Sequence, residues 1–253
     1  MSRPELAANQ VIARCRSTND LARELGEMGA PHGSWISARA QDSGRGRMGR
    51  AWTSREGNLF ISWVLRPADK SRWTWVPLTI AVAVARAVRP RGVELRVKWP
   101  NDLWSVTGAK VGGILCEAVG ASHGSFIVAG LGLNCVHAPE GLDQATSCLT
   151  ELAGASASTP GTSPITADDV RADIHRELLQ LLQKLETEGP APIRAEYEAM
   201  AAFPRGTSVT WTSAGTEHSG VVDRLGDTGE LLVDEGDCGL TRLYAEDVKI
   251  RKG

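Results

Sequence analysis

The chain changes texture at Pro204-Arg205-Gly206, and that break constrains its fold more than any other feature. Beyond it, residues 208–213, 219–225, 230–234 and 240–244 read as short strands parted by Gly- and Asp-rich turns. A meander of this length, 48 residues from Gly206 onward, suits a small SH3-like β-barrel better than an extension of a preceding sheet. Ahead of the break, strand and helix patterns mix without strict βαβ alternation. That predicts an α+β fold with a mixed or antiparallel sheet. Two domains are therefore expected, residues 1–203 and residues 204–253.

Within the first part, the capping cluster Ser17-Thr18-Asn19-Asp20 precedes Leu21, Ala22, Leu25 and Met28 at helical spacing, with Gly29 and Pro31 as stops. Strands are expected at residues 34–39, 58–65 and 93–99, and an Ala/Val-rich helix at 77–88. The apolar runs 111–118 and 125–133 read as a hairpin. Thr166-x-x-Asp169 resembles a capping box opening a long helix. That helix puts Val170, Ile174, Leu178, Leu181, Leu182 and Leu185 on one face. Gly189-Pro190 ends it, and a short helix follows at 193–201. The small-residue stretch 154–164 reads as an exposed loop.

Net charge is -2, but it is unevenly spread. Residues 1–110 hold 18 Lys+Arg against 9 Asp+Glu, and residues 111–253 hold 10 against 21. The basic half should meet something anionic: a nucleotide, a nucleic acid or the other half. Five scattered cysteines without a CxxC pair fit a reducing cytosol. His32, His123, His137, His175 and His218 lack metal-ligand spacing, so no structural metal is expected. The start has no apolar signal core, and no run approaches the ~20 apolar residues of a membrane helix. A cytoplasmic protein without a membrane partner is expected.

Four segments carry chemistry. Residues 41–52, Q-D-S-G-R-G-R-M-G-R-A-W, interleave glycines with arginines. Glycine lets backbone close over a ligand, and arginine forks suit phosphate and carboxylate oxygens. Such a loop either orders around an anion or stays a solvated basic stretch. Lys98-Trp99-Pro100-Asn101-Asp102 ends an apolar strand and leaves Asn101 and Asp102 at its C-terminal edge. Gly108-Ala109-Lys110-Val111-Gly112-Gly113-Ile114-Leu115 places a lysine at the mouth of a glycine-rich strand, in a chain with 6 Lys against 22 Arg. A compact ammonium there suits a phosphate contact. Gly130-Leu131-Gly132-Leu133-Asn134 leaves room beside a strand for a ligand or another backbone.

In this order, S-T-N, Q-x-x-G-R-G-R-x-G-R-x-W, K-W-P-N-D, G-x-K-x-G-G-I-L and G-L-G-L-N resemble the biotin protein ligases, over residues 11–250. The resemblance implies a class II synthetase-like catalytic domain and an SH3-like C-terminal domain. It implies that biotin and ATP, with Mg2+, give biotinyl-5′-AMP and pyrophosphate, and that biotin then passes to a lysine of a biotin carboxyl carrier protein. By motif, Ser17, Thr18, Asn19, Gln41, Arg45, Gly46, Arg47, Lys110, Gly112 and Gly113 would hold biotin, with Gly132 also lining its slot. Arg45, Arg47, Trp52, Asn101, Asp102, Lys110 and Asn134 would hold ATP or the adenylate. Lys110 and Arg45 would be catalytic. Asp102 could serve lysine, ribose or magnesium, and Trp52 could cover adenine or pack in a core. Arg45→Ala is expected to weaken adenylate retention, and Lys110→Ala to abolish adenylation with little change in thermal stability.

The sixteen residues before Ser17 are too few for the DNA-binding helices of bifunctional family members, so a monofunctional type, monomer or homodimer, without nucleic acid, is expected. Arg14 and Arg16 stand where an acidic residue is common. Cys135 stands where an aliphatic one is usual, with a modest effect expected on the pocket wall. Rival readings are a lipoate or octanoate ligase or transferase of the same fold, a nucleic-acid-binding module, and a non-catalytic sensor.

Overall fold

The computed structural model describes residues 6–122, 124–156, 163–213, 215–245 and 250–252. Most of the stretch read as an exposed loop, residues 157–162, lies outside them, as does His123.

The elements run β1 (Gln10–Cys15), α1 (Thr18–Glu27), β2 (Ser34–Gln41), β3 (Leu59–Leu65), α2 (Val76–Val88), β4 (Leu95–Lys98), β5 (Asp102–Ser105), β6 (Lys110–Val119), β7 (Phe126–Leu133), α3 (Leu149–Ser156), α4 (Ala167–Glu188) and α5 (Ala191–Ala199). Then come β8 (Ser208–Ser213), β9 (Thr216–Leu225), β10 (Leu231–Asp234), β11 (Leu240–Leu243) and β12 (Arg251–Lys252). The first sheet has the order β1-β2-β3-β7-β6-β5-β4. Only β1 and β2 pair in parallel, joined through α1, so the sheet is mixed as expected. A second, antiparallel sheet runs β11-β10-β9-β8-β12.

Side-chain alternation divides β3 cleanly. Leu59, Ile61, Trp63 and Leu65 enter the main core under α2, α4 and α5, while Val64 joins Ala22, Leu25, Phe126 and Val128 beneath α1. All six predicted core residues of α4 are buried, and Asp169 accepts the Thr166 N–H at its start. The helix α2 is buried nearly all round, which its Ala/Val composition dictates. Its one cation, Arg86, reaches out to Glu196 of α5 and Glu177 of α4.

Two tryptophans of the first part hold the turn between β9 and β10 of the second sheet. Trp75 Nε1 donates to Asp227 O at 2.9 Å and Trp99 Nε1 to Gly229 O at 3.0 Å. No described helix is long and apolar enough to cross a membrane.

Two strands of the first sheet differ from the sequence reading. Pro100 does not close the local ladder. The Trp99-Pro100 peptide is cis, and the chain turns back so that β5 pairs with β4 through Lys98–Asp102. Asp102 therefore opens a strand. The short edge strand β1 carries half-exposed alternation too brief to stand out.

A pH effect follows from the core. Trp63 Nε1 donates to His175 Nδ1 at 3.1 Å, which requires a neutral acceptor, and burial lowers the His175 pKa. The unfolded chain binds the proton more readily, so stability falls as pH drops below about 6.5, the ordinary histidine value, toward the lower folded value. Thermal melts from pH 7.5 to 5.5 should show this slope. His175→Gln, which can still accept from Trp63, should show a shallower one, and equal slopes would exclude the assignment.

Candidate active site

The helix α1 begins at an unusual cap. Ser17 sits at its N-cap without a side-chain cap bond. Instead Gln41, at the end of β2, accepts the Thr18 N–H at 2.8 Å. Gln41 Nε2 in turn donates to Ser54 Oγ at 3.0 Å. The parallel β1–β2 pairing delivers this glutamine, since it sets Gln41 opposite Cys15. Ser17, Thr18 and Asn19 are all buried at the mouth of the helix.

Below them lies a floor built largely of glycine. Antiparallel register places Gly132 beside Gly113 and Gly130 beside Leu115. A Cβ on Gly130 would come within 2.1 Å of Asn19 Oδ1, and one on Gly132 within 2.5 Å of the Trp52 indole. Gly112 is different. Its Cβ would meet Gly132 O, Leu103 and Leu133 on the opposite side, so Gly112 does not line the slot. Adjacent strand residues face opposite ways, and only one of the two glycines can serve. Gly130, read from the sequence only as leaving room beside its strand and not among the biotin-holding residues, takes its place.

The Gly/Arg segment folds into a closed hairpin, with Gly46 N–H bonded to Arg50 O and Trp52 N–H to Gly44 O, both at 2.8 Å. Gly44 is required there, because a Cβ would stand 2.6 Å from Trp52 O. Two latches hold this loop. Arg45 forms a fork onto Asp20 with contacts of 2.6 and 3.2 Å, and Arg47 donates to Asn101 Oδ1 at 3.0 Å. Asn101 Nδ2 is itself tied to Ile114 O. Arg45 thus has its charge offset by a carboxylate, whereas this contact of Arg47 is to a neutral amide. Trp52 lies over the glycine floor, 5.6 Å from Lys110 Nζ, and belongs to neither apolar core. Its Nε1 is buried without a partner.

Lys110 enters β6 at a register shift between Leu103 and Trp104, a local irregularity that re-aims side chains. Its Nζ lies 2.7 Å from Asp102 Oδ1, and both side chains are only 18% exposed. Of the partners open to Asp102, it is bonded to the lysine. This pairing argues against the expected neutrality of Lys110→Ala, since truncation strands a mostly buried carboxylate. Asn134 donates to Ser147 O at 3.2 Å, and its Oδ1 is buried without a partner.

All predicted site residues except Gly112 line one cavity of about 780 Å³. Its wall also includes Ile250 and Arg251 of the C-terminal segment, which the motifs did not indicate. The lining carries Arg45, Arg47, Arg50, Lys98, Lys110 and Arg251 against Asp102 and Asp143. Such a wall attracts an anion. Burial pushes the thiols of Cys15, Cys116 and Cys135 up to about 12, and none of them lines the cavity. They stay protonated at neutral pH and supply no nucleophile. Cys135 belongs to the main core, so its departure from the family pattern leaves the pocket wall untouched.

The sequence model of the Biotin/lipoate A/B protein ligase family matches residues 11–134, the span holding most of this site. A biotin–[acetyl-CoA-carboxylase] ligase of Paracoccus denitrificans is 32% identical over 94% of this chain and 98% of its own length. The chain belongs to the biotin protein ligase family. A bifunctional ligase/repressor of Bacillus subtilis is 29% identical over 92% of the chain and 71% of that protein. The fold matches a biotin protein ligase from Aquifex aeolicus in complex with biotin and ATP, with a TM-score of 0.79, 23% identity, and coverage of 96% of this chain and 98% of that one. Among biotin protein ligases the α+β fold with a mixed sheet and a second C-terminal sheet is thus shared by this chain. The function of a ligase follows from membership.

Proposed function

We propose that the cavity joins biotin to ATP and then hands the biotinyl group to a lysine of a biotin carboxyl carrier protein. The observation that carries this is the continuity of two unlike surfaces in one cavity. Glycines and neutral donors and acceptors share one cavity with a wall of cations. A molecule with a polar neutral head and a carboxylate tail fits that combination. Its carboxylate then lies where a phosphate is also attracted.

In the first step a biotin carboxylate oxygen attacks the α-phosphorus of ATP, and pyrophosphate leaves with the bond electrons. Both reactants are anionic, so positioning and positive charge carry most of the catalysis. Lys110, fixed by Asp102, would balance charge on the α-phosphate and the carboxylate, with greater effect once water is excluded. Arg47 would hold the phosphate of the adenylate, while Arg45 would keep the loop shut through Asp20. In the second step the neutral carrier lysine attacks the acyl carbon of the mixed anhydride, giving an amide and AMP.

ATP would enter as its magnesium complex. Magnesium relies on phosphate oxygens and water with one or two carboxylates. Asp102 and Asp143 on the wall, with the unpartnered Oδ1 of Asn134, suit an ion delivered that way. The same reading divides the chain into a catalytic domain, residues 1–203, and a C-terminal domain, residues 204–253. It requires no nucleic acid and no membrane, and a reducing cytoplasm suits it.

Pyrophosphate release separates this proposal from a lipoate or octanoate enzyme: biotin with ATP should support it, and lipoate or octanoate should not. The two arginines are separable as well. Arg47→Ala should speed loss of biotinyl-AMP by about 10-fold or more, the worth of one charge-assisted hydrogen bond. Arg45→Ala should act less, because its ion pair is substantially exposed. Equal adenylate dissociation from the two variants, measured by rapid filtration, would remove the distinction.

A further inference from the structure

The turn between β9 and β10, residues 226–230, reaches the active site from outside it. None of the five motifs contains it, and none of its residues lines the cavity. At its end Glu230 carries a carboxylate wholly covered by protein, a placement that costs free energy unless donors satisfy it. They do. Its Oε2 accepts the Thr228 N–H at 2.9 Å and the Thr228 hydroxyl at 2.7 Å, and Oε1 accepts from Arg242 Nη1 at 2.6 Å. The backbone closes the same turn, with Gly226 N–H on Glu230 O at 2.8 Å and Gly229 N–H on Gly226 O at 3.2 Å.

A turn held in this way presents fixed carbonyls. Gly229 O receives Trp99 Nε1 at 3.0 Å, and Asp227 O receives Trp75 Nε1 at 2.9 Å. The two indoles differ in where they lead. Trp75 is the N-cap of α2 and does not line the cavity. Trp99 does line it, and stands just ahead of Asn101 and Asp102. Asn101 Oδ1 accepts from Arg47 at 3.0 Å, and Asp102 Oδ1 lies 2.7 Å from Lys110 Nζ. A line of contacts thus runs from Glu230 through Thr228, Gly229 and Trp99 to two cations of the wall.

We infer that Glu230 is a positioning residue for adenylation: it holds the turn whose Gly229 carbonyl anchors Trp99, and Trp99 sets the segment from which Asn101 and Asp102 aim Arg47 and Lys110. This rests on the reading of Lys110 and Arg47 as the groups that handle the reacting phosphate. Misplacing a reacting group by about 1 Å through a remote change can cost about 10²-fold in rate. The effect of Glu230 therefore belongs in kcat, not in the affinity for biotin.

The test follows pyrophosphate release by the full chain with biotin and ATP, below the melting temperature of every variant. Glu230→Ala removes the acceptor for Thr228, and Trp99→Phe keeps an aromatic ring but loses the bond to Gly229. Each should lower kcat by about 10- to 100-fold and leave KM for biotin within about 3-fold. Trp75→Phe loses the matching bond to the same turn, so it should lower the melting temperature yet leave kcat within about 3-fold. Glu230→Gln still accepts from Thr228 and should keep kcat within about 3-fold of wild type despite the lost ion pair. Because Glu230 acts through Trp99, the double variant Glu230→Ala/Trp99→Phe should match the slower single variant within about 3-fold. Multiplied losses in the double variant, an unchanged kcat in Glu230→Ala, or an equal fall in kcat in Trp75→Phe or Glu230→Gln would overturn the inference. Failure of the wild-type protein to release pyrophosphate with biotin would instead count against the biotin reading itself.

Discussion

Lys110→Ala should reduce pyrophosphate release from biotin and ATP by about 10²- to 10³-fold, the range for losing one preorganised charge-stabilising donor. The loss should appear in kcat, because the ammonium acts on charge that grows in the transition state. Thermal stability should fall too. The ammonium lies 2.7 Å from Asp102 Oδ1 with both side chains mostly buried. Its removal leaves a carboxylate with too little water to replace the partner, at a cost of about 2 kcal/mol. The double variant Lys110→Ala/Asp102→Asn should recover much of the stability and none of the activity. Recovery of activity in the double variant, or a wild-type rate in Lys110→Ala, would remove the lysine from the chemistry.

Gly130→Ala should be the most damaging single methyl group on the slot floor. Its Cβ would stand 2.1 Å from Asn19 Oδ1. That oxygen cannot swing away freely, since its amide is held by Glu117 on one side and Ser62 on the other. Overpacking of this kind costs about 1–3 kcal/mol, and displacement of Asn19 from the slot should raise KM for biotin by about 10- to 100-fold. Gly120→Ala supplies the comparison, because its Cβ would meet nothing within 4 Å. If both alanines leave KM unchanged, the slot does not depend on Asn19 as described.

Much of this architecture is legible in the chain before folding. The α4 face follows from 3.6-residue periodicity over a long helix, where the signal has many chances to repeat. The slot follows in part. Three of its glycines were visible as a pattern, but sorting Gly112 from Gly113 needed strand alternation, and choosing Gly130 needed the register against Leu115. The strand β5 was hidden because Pro100 and Asn101 read as an ending, while the chain reverses there into a hairpin. Ser62 and Glu117 carry no local signal. A serine in an apolar strand matters only because folding brings it to Asn19, 43 positions away in sequence.

The charge imbalance between the halves has two sources. The Gly/Arg loop and Lys110 put cations on the cavity wall. Elsewhere the basic half meets the acidic one directly: Arg23 on Glu117, Arg86 on Glu177 and Glu196, and Arg91 on Asp173. Of the three partners open to the basic half, the other half is thus one that the structure displays. The acidic surface of α4 and α5 is in part a counterpart for arginines on α2 and the turn after it, and Glu117 of β6 for Arg23 of α1.

The most direct measurement is the intact mass of a purified biotin carboxyl carrier domain after incubation with this protein, biotin, ATP and magnesium. The expected result is a gain equal to biotin less one water on a single lysine, dependent on ATP and absent with Lys110→Ala. No gain with biotin, or a gain only when lipoate or octanoate replaces it, would contradict the assignment of this cavity to biotin transfer.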